Sequence, residues 1–402
     1  MRLEKLSIAD VPIEGKRVFI RVDFNVPMDK QGHVTDDTRI RASLPTIQHA
    51  MARGAKLILA SHLGRPAGKV EPRYSLKPVA VCLSRLLGKT IRLADDCVGP
   101  AVEELVSLMR EGEALLLENL RFHPEEEKND PRFAQQLARL ADVYVNDAFG
   151  TAHRAHASTE GITQSLSVAV AGLLMQAELR HLGQLLATPE RPYVAILGGA
   201  KVSDKIDLIF NLLPKLNRVL IGGGMAYTFL VAEGVPIGNS LVEADKVDVA
   251  RDILTKASSL GVTIQLPEDH VIAERLDANA ATRVVAKNGI PSGWLGVDIG
   301  PQTAAAFTSA IHGAKTVVWN GPMGVFEIAP FAQGTNAVAL AVASSPATTI
   351  VGGGDSVAAV NQAGVADRMT HISTGGGAFL ELLEGRELPG VAALMDKPGA
   401  ET

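Results

Sequence analysis

Short apolar runs alternate with longer amphipathic segments along almost the whole chain. Near-continuous apolar runs of this kind indicate parallel strands that are buried on both faces of a sheet. The segments between them have helical spacing, which indicates right-handed strand–helix–strand crossovers. The pattern restarts after about residue 190, so it predicts an α/β fold with two such sheets.

The predicted strands cover residues 17–22, 56–60, 114–118, 142–146, 193–197, 218–222, 263–267, 315–319, 348–352 and 370–374. The predicted helices cover residues 38–54, 75–88, 204–216, 244–260, 334–344 and 356–364. Gly54 and Gly88 stand where two of these helices end, because glycine readily adopts the left-handed conformation of a helix C-terminus.

A chain of 402 residues is longer than one hydrophobic core usually supports, which favours two domains. Residues 165–188 have helical periodicity and no cluster of proline or glycine, so we expect a stiff helix between the domains. We place an N-terminal domain at residues 1–170, an interdomain helix at 171–188 and a C-terminal domain at 189–384. The final segment, 385–402, is expected to pack back near the N-terminal domain.

The composition gives no reason to expect nucleic acid or an acidic membrane as a partner, since the formal net charge is −5. Cys82 and Cys97 form no zinc-binding or CxxC spacing, so we expect buried thiols in a reducing compartment. The first residues lack the apolar core of a signal peptide, and no apolar run is long enough to span a bilayer. These features predict a cytoplasmic protein.

The early strand-like runs end in arginine, histidine and amide side chains. They lead into DFN (23–25), SHLGRP (61–66), ENLRFHPEE (118–126) and NDAFGTAHRAH (146–156). Ligands of open α/β sheets bind outside the carboxyl ends of the strands, and the arginine fork binds phosphate or carboxylate oxygens in pairs. The sequence therefore predicts a site for a multiply charged anion, with candidates Asp23, Asn25, Arg39, His62, Arg65, Arg121 and Arg154.

Other interpretations of these residues remain open. Any one of the arginines alone is more often part of a surface ion pair. His153 and His156 are three residues apart, but the motif holds no carboxylate and a metal site there is disfavoured. The acidic run Glu125–Glu127 is most simply a solvated loop or the first turn of a helix.

The later strand-like runs end in glycine. They lead into GGAKVSDK (198–205), GGGM (222–225), NGPMG (320–324), GGGDS (352–356) and STGGGAF (373–379). None of them matches the P-loop or the GxGxxG dinucleotide pattern. A single glycine pair is usually a tight turn, but five pairs at strand ends favour a phosphate site.

Within this half, the amides of Gly353 and Gly354 are placed to face phosphates at the start of a helix. Asp355 beside them is a hard oxygen ligand suited to Mg²⁺. Lys201 and Lys205 flank another helix start, where a mobile point charge suits a phosphoryl group in transfer. Glu327 could accept hydrogen bonds from ribose hydroxyls. Two different anion sites on one chain suggest that a group moves between two ligands.

The motifs RVDFNVP, SHLGRP, LENLRFHPEEE, VNDAFGTAHRAHAST, LGGAKVSDKI, GGGMAYTFL, WNGPMGVFE, GGGDSVAA and STGGGAFLE together resemble the phosphoglycerate kinase family. The resemblance runs from about residue 17 to residue 385, in the family's order and spacing. It implies two doubly wound parallel-sheet (Rossmann-like) domains facing across a cleft. It also implies phosphoryl transfer between MgATP and 3-phosphoglycerate, giving MgADP and 1,3-bisphosphoglycerate, by a protein that is monomeric.

The resemblance implies a role for each matching residue. The substrate-binding residues it implies are Asp23, Phe24, Asn25, Arg39, His62, Leu63, Gly64, Arg65, Arg121 and Arg154. The nucleotide-binding residues it implies are Lys201, Lys205, Gly296, Asn320, Glu327, Gly353, Gly354, Asp355 and Ser356, with Asp355 also the Mg²⁺ ligand. The catalytic residues it implies are Arg39, Lys205, Gly353 and Gly376. Ser356 stands where a threonine is common in the family, and it keeps the hydroxyl.

Two rival functions are weighed against this one. A nicotinamide-dependent dehydrogenase is disfavoured because the GxGxxG pattern fails. A non-catalytic metabolite- or nucleotide-binding protein could use the same anion site, but it would not need Lys205, Glu327 and the GGDS turn together. A carboxylate acceptor is already ionised at neutral pH, which explains why no general base stands out.

Overall fold

The computed structural model describes residues 2–399, which divide into two compact units. The N-terminal unit comprises the chain up to Arg180 together with the segment from Glu387 onward. The C-terminal unit comprises His181–Arg386. The division falls inside one helix, α6 (Leu173–Ala187).

The N-terminal unit is built on a parallel sheet. Its strands are β1 (Arg17–Arg21), β2 (Lys56–Ala60), β3 (Arg92–Leu93), β4 (Ala114–Leu116), β5 (Val143–Asn146) and β6 (Ala169–Ala171), in the order β3-β4-β2-β1-β5-β6. Its other α-helices are α1 (Thr38–Ala52), α2 (Lys77–Leu87), α3 (Pro100–Ser107), α4 (Pro124–Glu127), α5 (Pro131–Ala138) and α14 (Pro389–Ala392).

Strand β1 lies at the centre of this sheet because its side chains are apolar on both faces. Val18, Phe19 and Ile20 are fully buried, and each such side chain stabilises the fold by about 1.5–3 kcal/mol. The chain adds strands on one side of β1 and then returns to add β5 on the other side, so the topological switch point lies between β1 and β5. The register pairs Arg21 with Ala60 and Asn146, so the loops after β1, β2 and β5 leave from the same edge.

The helices of this unit end where glycine was expected. Gly88 caps α2 in the left-handed conformation with φ 64°, and Gly54 follows α1 with φ 71°. Cys82 and Cys97 are both buried free thiols, which confirms their prediction.

The described part of the final segment, residues 387–399, packs on the beginning of the chain, and the last three residues of the predicted segment lie outside the described residues. The Leu6 amide donates to the Met395 carbonyl at 2.9 Å, and the Lys397 amide donates to the Glu4 carbonyl at 2.9 Å. The buried Lys5 Nζ donates to the Leu394 carbonyl at 3.0 Å.

The C-terminal unit repeats the architecture with a second parallel sheet and adds a small antiparallel one. The parallel strands are β7 (Tyr193–Leu197), β8 (Arg218–Ile221), β9 (Thr263–Gln265), β13 (Thr316–Asn320), β14 (Thr348–Val351) and β15 (His371–Ile372), in the order β15-β14-β13-β7-β8-β9. The antiparallel strands are β10 (Asp269–Ala273), β11 (Thr282–Ala286) and β12 (Leu295–Ile299), in the order β11-β10-β12. The helices are α7 (Ile206–Leu212), α8 (Met225–Ala232), α9 (Val247–Ser259), α10 (Pro301–His312), α11 (Gln333–Ser344), α12 (Gly354–Gln362) and α13 (Gly376–Leu383).

The switch point of this second sheet lies between β7 and β13, since the chain moves outward through β8 and β9 and then returns. The turns that follow β7, β13 and β14 are therefore neighbours. Two sheets of six parallel strands confirm the predicted α/β fold.

The prediction of one continuous helix over 165–188 was wrong at its beginning. Residues Ala169–Ala171 pair with Tyr144, Val145 and Asn146 as strand β6, and α6 starts only at Leu173. Val170 is fully buried in the sheet, and this burial outweighs helical propensity. Strands β3, β10, β11 and β12 were also missed. Among the helices that the structure describes, none is both long and apolar enough to cross a membrane.

Candidate functional site

In the N-terminal unit, the loops after β1 and β2 form one hydrogen-bonded network with α1. Arg39 Nη1 donates to Asp23 Oδ2 and to the Asn25 carbonyl, both at 3.1 Å. Asn25 Oδ1 accepts from the Gly64 amide at 2.9 Å, and Arg121 Nη1 donates to the Gly64 carbonyl at 2.9 Å. The structure thus brings together residues from three predicted motifs. We call the set Arg21, Asp23, Asn25, Arg39, His62, Arg65, Arg121, Arg154 and His156 the basic cluster.

The buried side of the same loops is formed by Phe24, His62 and Leu63. The Phe24 amide donates to Ser61 Oγ at 2.9 Å, and the Leu63 amide donates to Asn119 Oδ1 at 3.2 Å. All three residues are buried, so their role in the network is to hold the two loops together. His62 also has a second contact, because Arg21 Nη2 lies 3.2 Å from its ring Nδ1.

The two histidines of the basic cluster are held uncharged. Burial and the nearby Arg21, Arg121 and Arg39 hold the pKa of His62 well below its usual range. Burial, followed by Arg21 and Arg121, lowers the pKa of His156 to about 4. Both rings are therefore neutral at physiological pH, and the positive charge of the cluster resides in its guanidinium groups.

The guanidinium groups are only partly neutralised by acidic neighbours. Arg65 is exposed and has no hydrogen bond or ion pair with any residue of the described part of the chain. Burial lowers the pKa of Arg121, and Arg21 and Arg154 add to this effect while Glu127 opposes it. Mutual repulsion among cations is relieved when an anion enters, so this arrangement favours an anionic ligand.

The sequence analysis missed Arg21, which is the most deeply buried cation of the cluster. Its side chain has no exposed surface, although it ends strand β1. The signal was an arginine inside an otherwise apolar strand. Glu125–Glu127 form the first turn of α4, which is one of the two interpretations given for them, but Glu126 is fully buried rather than solvated.

In the C-terminal unit, the glycine-rich turns pack directly on one another. The Gly198 amide donates to the Asn320 carbonyl at 3.0 Å, and the Gly223 amide donates to the Met323 carbonyl at 2.9 Å. A Cβ atom on Gly223 would lie 2.8 Å from the Pro322 carbonyl oxygen. These glycines are therefore required by turn–turn contact, whether or not a ligand is bound.

Lys205 is positioned by the turn that follows β13. Its Nζ donates to Asn320 Oδ1, and Asn320 Nδ2 in turn donates to the Gly352 carbonyl at 2.7 Å. Partial burial lowers the pKa of Lys205, and Asp204 and Asp355 oppose this effect. Lys205 therefore lies close to the GGDS turn, although the two are 150 residues apart in the chain.

The GGDS turn opens helix α12, as the sequence predicted. Gly353 precedes the helix with φ 94°, and the buried Ser356 Oγ accepts from the Gly321 amide at 2.6 Å. Asp355 lies exposed in the first turn. A Cβ atom on Gly376 would lie 3.6 Å from Gly353 Cα, so the N-termini of α12 and α13 are adjacent. Free amides of two helix N-termini at one place favour phosphate groups.

The remaining predicted nucleotide-binding residues are not part of the hydrogen-bond network around Lys205. Lys201 and Glu327 are exposed, and neither side chain is hydrogen-bonded or ion-paired within residues 2–399. Gly296 lies on β12, in the antiparallel sheet, and a Cβ atom there would collide with the Tyr227 hydroxyl. Lys201, Glu327 and Gly296 thus do not join the hydrogen-bond network of Lys205.

Asp355 fits a magnesium ion that is shared with phosphate groups. Mg²⁺ is usually held by one or two carboxylates together with substrate phosphates, and Asp355 offers one exposed carboxylate beside the amide-rich turns. One other group of potential ligands occurs in the described part of the chain, formed by Asp96, Cys97 and His123. Its His123 Nε2 is paired with Asp96 Oδ1 at 2.6 Å, and burial raises the pKa of the Cys97 thiol, which keeps it protonated.

Comparison with known proteins gives one consistent result. The family model for phosphoglycerate kinase matches residues 8–386. A phosphoglycerate kinase from Moorella thermoacetica is 59% identical over 395 residues, covering 98% of this chain and 100% of the relative. A chloroplastic phosphoglycerate kinase from Volvox carteri is 56% identical over 400 residues, covering 98% of this chain and 87% of the relative. The solved phosphoglycerate kinase of Coxiella burnetii superposes with a TM-score of 0.90 at 43% identity, covering 97% of this chain and 98% of that one.

Proposed function

Because the chain belongs to the phosphoglycerate kinase family, we propose that the basic cluster binds 3-phosphoglycerate and the glycine turns bind the nucleotide. The protein is a kinase that transfers a phosphoryl group between ATP and the carboxyl group of 3-phosphoglycerate. The observation that carries this assignment of the two ligands is the partly neutralised group of guanidinium ions beyond the carboxyl ends of the strands in the N-terminal sheet.

The basic cluster suits the chemistry of 3-phosphoglycerate. The substrate has a phosphate at one end and a carboxylate at the other, and both are matched by arginine forks. In our proposal Arg65, Arg121 and Arg154 hold the phosphate, with His62 beside them. Arg39 faces the carboxyl end, and Asp23 and Asn25 bind the hydroxyl group between the two ends.

The second site suits a nucleotide phosphate chain. We assign the phosphates to the helix N-termini at Gly353, Gly354 and Gly376, and the transferring group to Lys205. Lys205 is partly buried, so its charge acts through a medium of lower polarity than water. The assignment is completed by Lys201 and Asn320 near the phosphates, Glu327 at the ribose, and Gly296 beside the base.

We also propose that Asp355 holds Mg²⁺ together with the nucleotide phosphates. The ion would neutralise part of the charge on the phosphates. Ser356 is fully buried and its hydroxyl binds the Gly321 amide, so it positions the turn while Asp355 faces outward.

The chain's own residues contribute positioning and positive charge rather than proton transfer. The acceptor carboxylate is ionised at neutral pH, so no side chain has to remove a proton from it. Arg39 orients this carboxylate through the geometry that Asp23 and the Asn25 carbonyl impose on its guanidinium. Lys205 stabilises charge that develops on the phosphoryl oxygens during transfer.

A coupled assay with ATP, Mg²⁺ and 3-phosphoglycerate tests the proposal when it is combined with binding measurements on variants. Substitution of Arg65 and Arg121 should weaken 3-phosphoglycerate binding and leave nucleotide binding unchanged. A loss of nucleotide binding in the arginine variants would contradict this assignment of the two ligands. Activity that persists after complete removal of divalent cations would contradict the role of Asp355.

The remaining expectations concern the state of the protein in the cell. We propose a monomer in the cytoplasm, in agreement with two buried free thiols that suit a reducing compartment. Sedimentation velocity over a hundredfold concentration range would detect self-association, and fractionation of the source cell would establish the compartment.

A further inference from the structure

We propose that Glu126 and Ser158 are positioning residues that hold Arg21, and through it the His62 ring, in the orientation the basic cluster needs. This inference rests on the proposed binding of 3-phosphoglycerate at that cluster. Neither Glu126 nor Ser158 belongs to the substrate-binding residues inferred above, and both are fully buried.

The hydroxyl of Ser158 lies between Glu126 and Arg21, and the directions of its two hydrogen bonds are fixed by these partners. Ser158 Oγ lies 2.5 Å from Glu126 Oε1, and the Ser158 amide donates to Glu126 Oε2 at 3.0 Å. Arg21 Nε lies 2.8 Å from the same hydroxyl oxygen. Arginine can only donate, so the hydroxyl accepts from Arg21 and must give its single proton to Glu126.

The same reasoning fixes the proton on the His62 ring. Arg21 Nη2 lies 3.2 Å from His62 Nδ1, and its other terminal nitrogen donates to the Val22 carbonyl. Because arginine only donates, His62 Nδ1 accepts and the proton of the neutral ring resides on Nε2. His62 therefore keeps an N–H donor, which a phosphate or carboxylate oxygen can accept.

Glu126 balances the charge of Arg21 without occupying the end of its guanidinium group. The serine stands between the two ions, so the carboxylate acts on Nε while Nη2 remains directed at His62. Burial raises the pKa of Glu126, and Arg21 and Ser158 oppose this effect. Ser158 is fixed from its other side by the Tyr144 hydroxyl, which donates to its carbonyl at 2.8 Å.

Glu126 also ties this relay to the loop that follows β5. The Ala157 amide donates to the Glu126 carbonyl at 2.9 Å, which joins α4 to the loop carrying Arg154 and His156. Replacing a buried ion pair by apolar side chains is often neutral for stability, so stability alone does not account for this pair. In our proposal the relay orients the cations.

The test is Ser158→Ala in the full-length protein, with Ser43→Ala as the matched control. Ser43 is also buried in the N-terminal unit, but its hydroxyl has no hydrogen-bond partner in the described part of the chain. We expect Ser158→Ala to raise the KM for 3-phosphoglycerate by about tenfold, the equivalent of one lost hydrogen bond. The kcat and the KM for ATP should stay within about twofold of wild type, and the control should match wild type.

The second measurement is ¹⁵N NMR of the histidine rings at pH 7.5, with the His62 signals identified by their loss in His62→Gln. Wild type should show His62 protonated on Nε2 alone, and Ser158→Ala should show a mixture of tautomers or a charged ring. Unchanged kinetics and an unchanged His62 tautomer would overturn the proposal. A proportional loss of kcat with both KM values unchanged would also overturn it, because that indicates a smaller folded fraction.

A variant that fails to fold does not end the test. Glu126→Gln keeps the size of the side chain and one acceptor oxygen, so we expect the same selective rise in KM with a smaller amplitude. An unchanged KM in this variant would again overturn the proposal. If the proposed function itself failed, the wild-type protein would not bind 3-phosphoglycerate, which is a different result from a normal KM in the relay variants.

Discussion

Arg39 is the residue whose removal should separate catalysis from nucleotide binding. It is half-exposed on α1, and Asp23 and Asn25 orient its guanidinium toward the loops after β1 and β2. We expect Arg39→Ala to lower kcat by about 10²–10³, because a positioned donor to the developing charge is lost. Steady-state kinetics would measure kcat, and calorimetry would measure the dissociation constant for ATP, which should stay unchanged.

Arg41→Ala is the matched control for this variant. Arg41 lies two residues further along the same helix, and its guanidinium pairs with Asp37 at 2.7 Å on the exposed surface. Its kcat should equal that of wild type. Parallel losses in kcat and nucleotide affinity for Arg39→Ala would remove Arg39 from the transfer step.

At the residue scale, the sequence predicted those side chains that follow strands and missed those that support them. Asn25 and Arg121 follow strands β1 and β4, and Arg39 lies in the first turn of α1, so all three stand near strand ends where polar residues can bind ligands. Arg21 and Glu126 are fully buried, and their partner Ser158 joins them only after the chain has folded. No local pattern contains that contact, since Ser158 lies 137 residues from Arg21 in the chain.

The beginning of α12 depends on a backbone conformation that only glycine adopts without strain. Gly353 has φ 94°, and a Cβ atom there would lie 2.5 Å from Asn320 Nδ2, which belongs to the Lys205 network. We expect Gly353→Ala to destabilise the protein by about 1–2 kcal/mol. The displaced Asn320 should also raise the KM for ATP by about tenfold, roughly 1.4 kcal/mol.

Gly364→Ala separates the strain from the collision. Gly364 lies just beyond the other end of α12 with φ 68°, and a Cβ atom there would meet nothing within 4 Å. Urea unfolding should show a loss of stability in both variants that is smaller in Gly364→Ala, whereas only Gly353→Ala should change the KM for ATP. A normal KM in Gly353→Ala would mean that this turn does not position the nucleotide.

Asp147, which directly follows β5, is a buried acid beneath the start of α6 that makes stability depend on pH. Asp147 Oδ1 accepts from the amides of Leu174 and Met175 at 3.0 and 3.2 Å, and burial raises its pKa to about 7. Between about pH 4 and pH 7 the folded protein keeps a proton that the unfolded chain has released. The stabilisation is therefore present below about pH 4 and is lost as the pH rises toward 7, by about 1.4 kcal/mol per pH unit.

Asp147→Asn should abolish this contribution, so its unfolding free energy relative to wild type should increase from pH 5 to pH 7. Denaturant unfolding of both proteins at several pH values measures the difference between their unfolding free energies. The opposite contributions of His62 and His156 are common to both proteins and cancel in this difference. Asp142→Asn is the control. The hydrogen bond with Arg17 lowers the pKa of Asp142, so that its difference from wild type should stay constant over this range. A constant difference for Asp147→Asn as well would disprove a raised pKa.

At the scale of elements, the strands and helices with strong periodicity were predicted, and those decided by tertiary contacts were missed. Strand β1 is apolar on both faces and was predicted within one residue. Strand β6 has only three residues and exists because β5 offers it a hydrogen-bonding edge. Strand β11 is largely exposed, so its sequence lacks the apolar alternation that identifies a strand.

At the scale of the whole molecule, both units obey the same topological rule with different chemistry. Each sheet reverses its strand order beside its first strand, so each unit has one crevice at which ligands can bind. The loops around the β1/β5 crevice carry arginine, and the turns around the β7/β13 crevice carry glycine and lysine. The arginine and glycine ends of the strands and the return of the final segment were predicted from the sequence. The strand order and the contacts that hold the final segment to the first residues were not, because these form only in the folded chain.

That return should be required for the N-terminal unit to remain folded. Leu388 and Val391 are fully buried. The buried Lys5 Nζ donates to the Leu394 carbonyl and to Asp396 Oδ1. Truncation after Arg386 would expose these surfaces and leave a buried amine unpaired. We expect the N-terminal unit to lose about 5 kcal/mol or more of stability.

Hydrogen exchange with mass spectrometry locates the effect within the truncated protein. Peptides covering β6 and residues 4–8 should lose their protection, while peptides of the C-terminal unit should keep theirs. Leu388→Ala is a milder variant that should show the same pattern with a smaller amplitude, because it creates a cavity costing about 2–5 kcal/mol. Truncation after Lys397 keeps all of these contacts and serves as the control. Full protection of β6 in the longer deletion would show that the N-terminal unit folds without the returning segment.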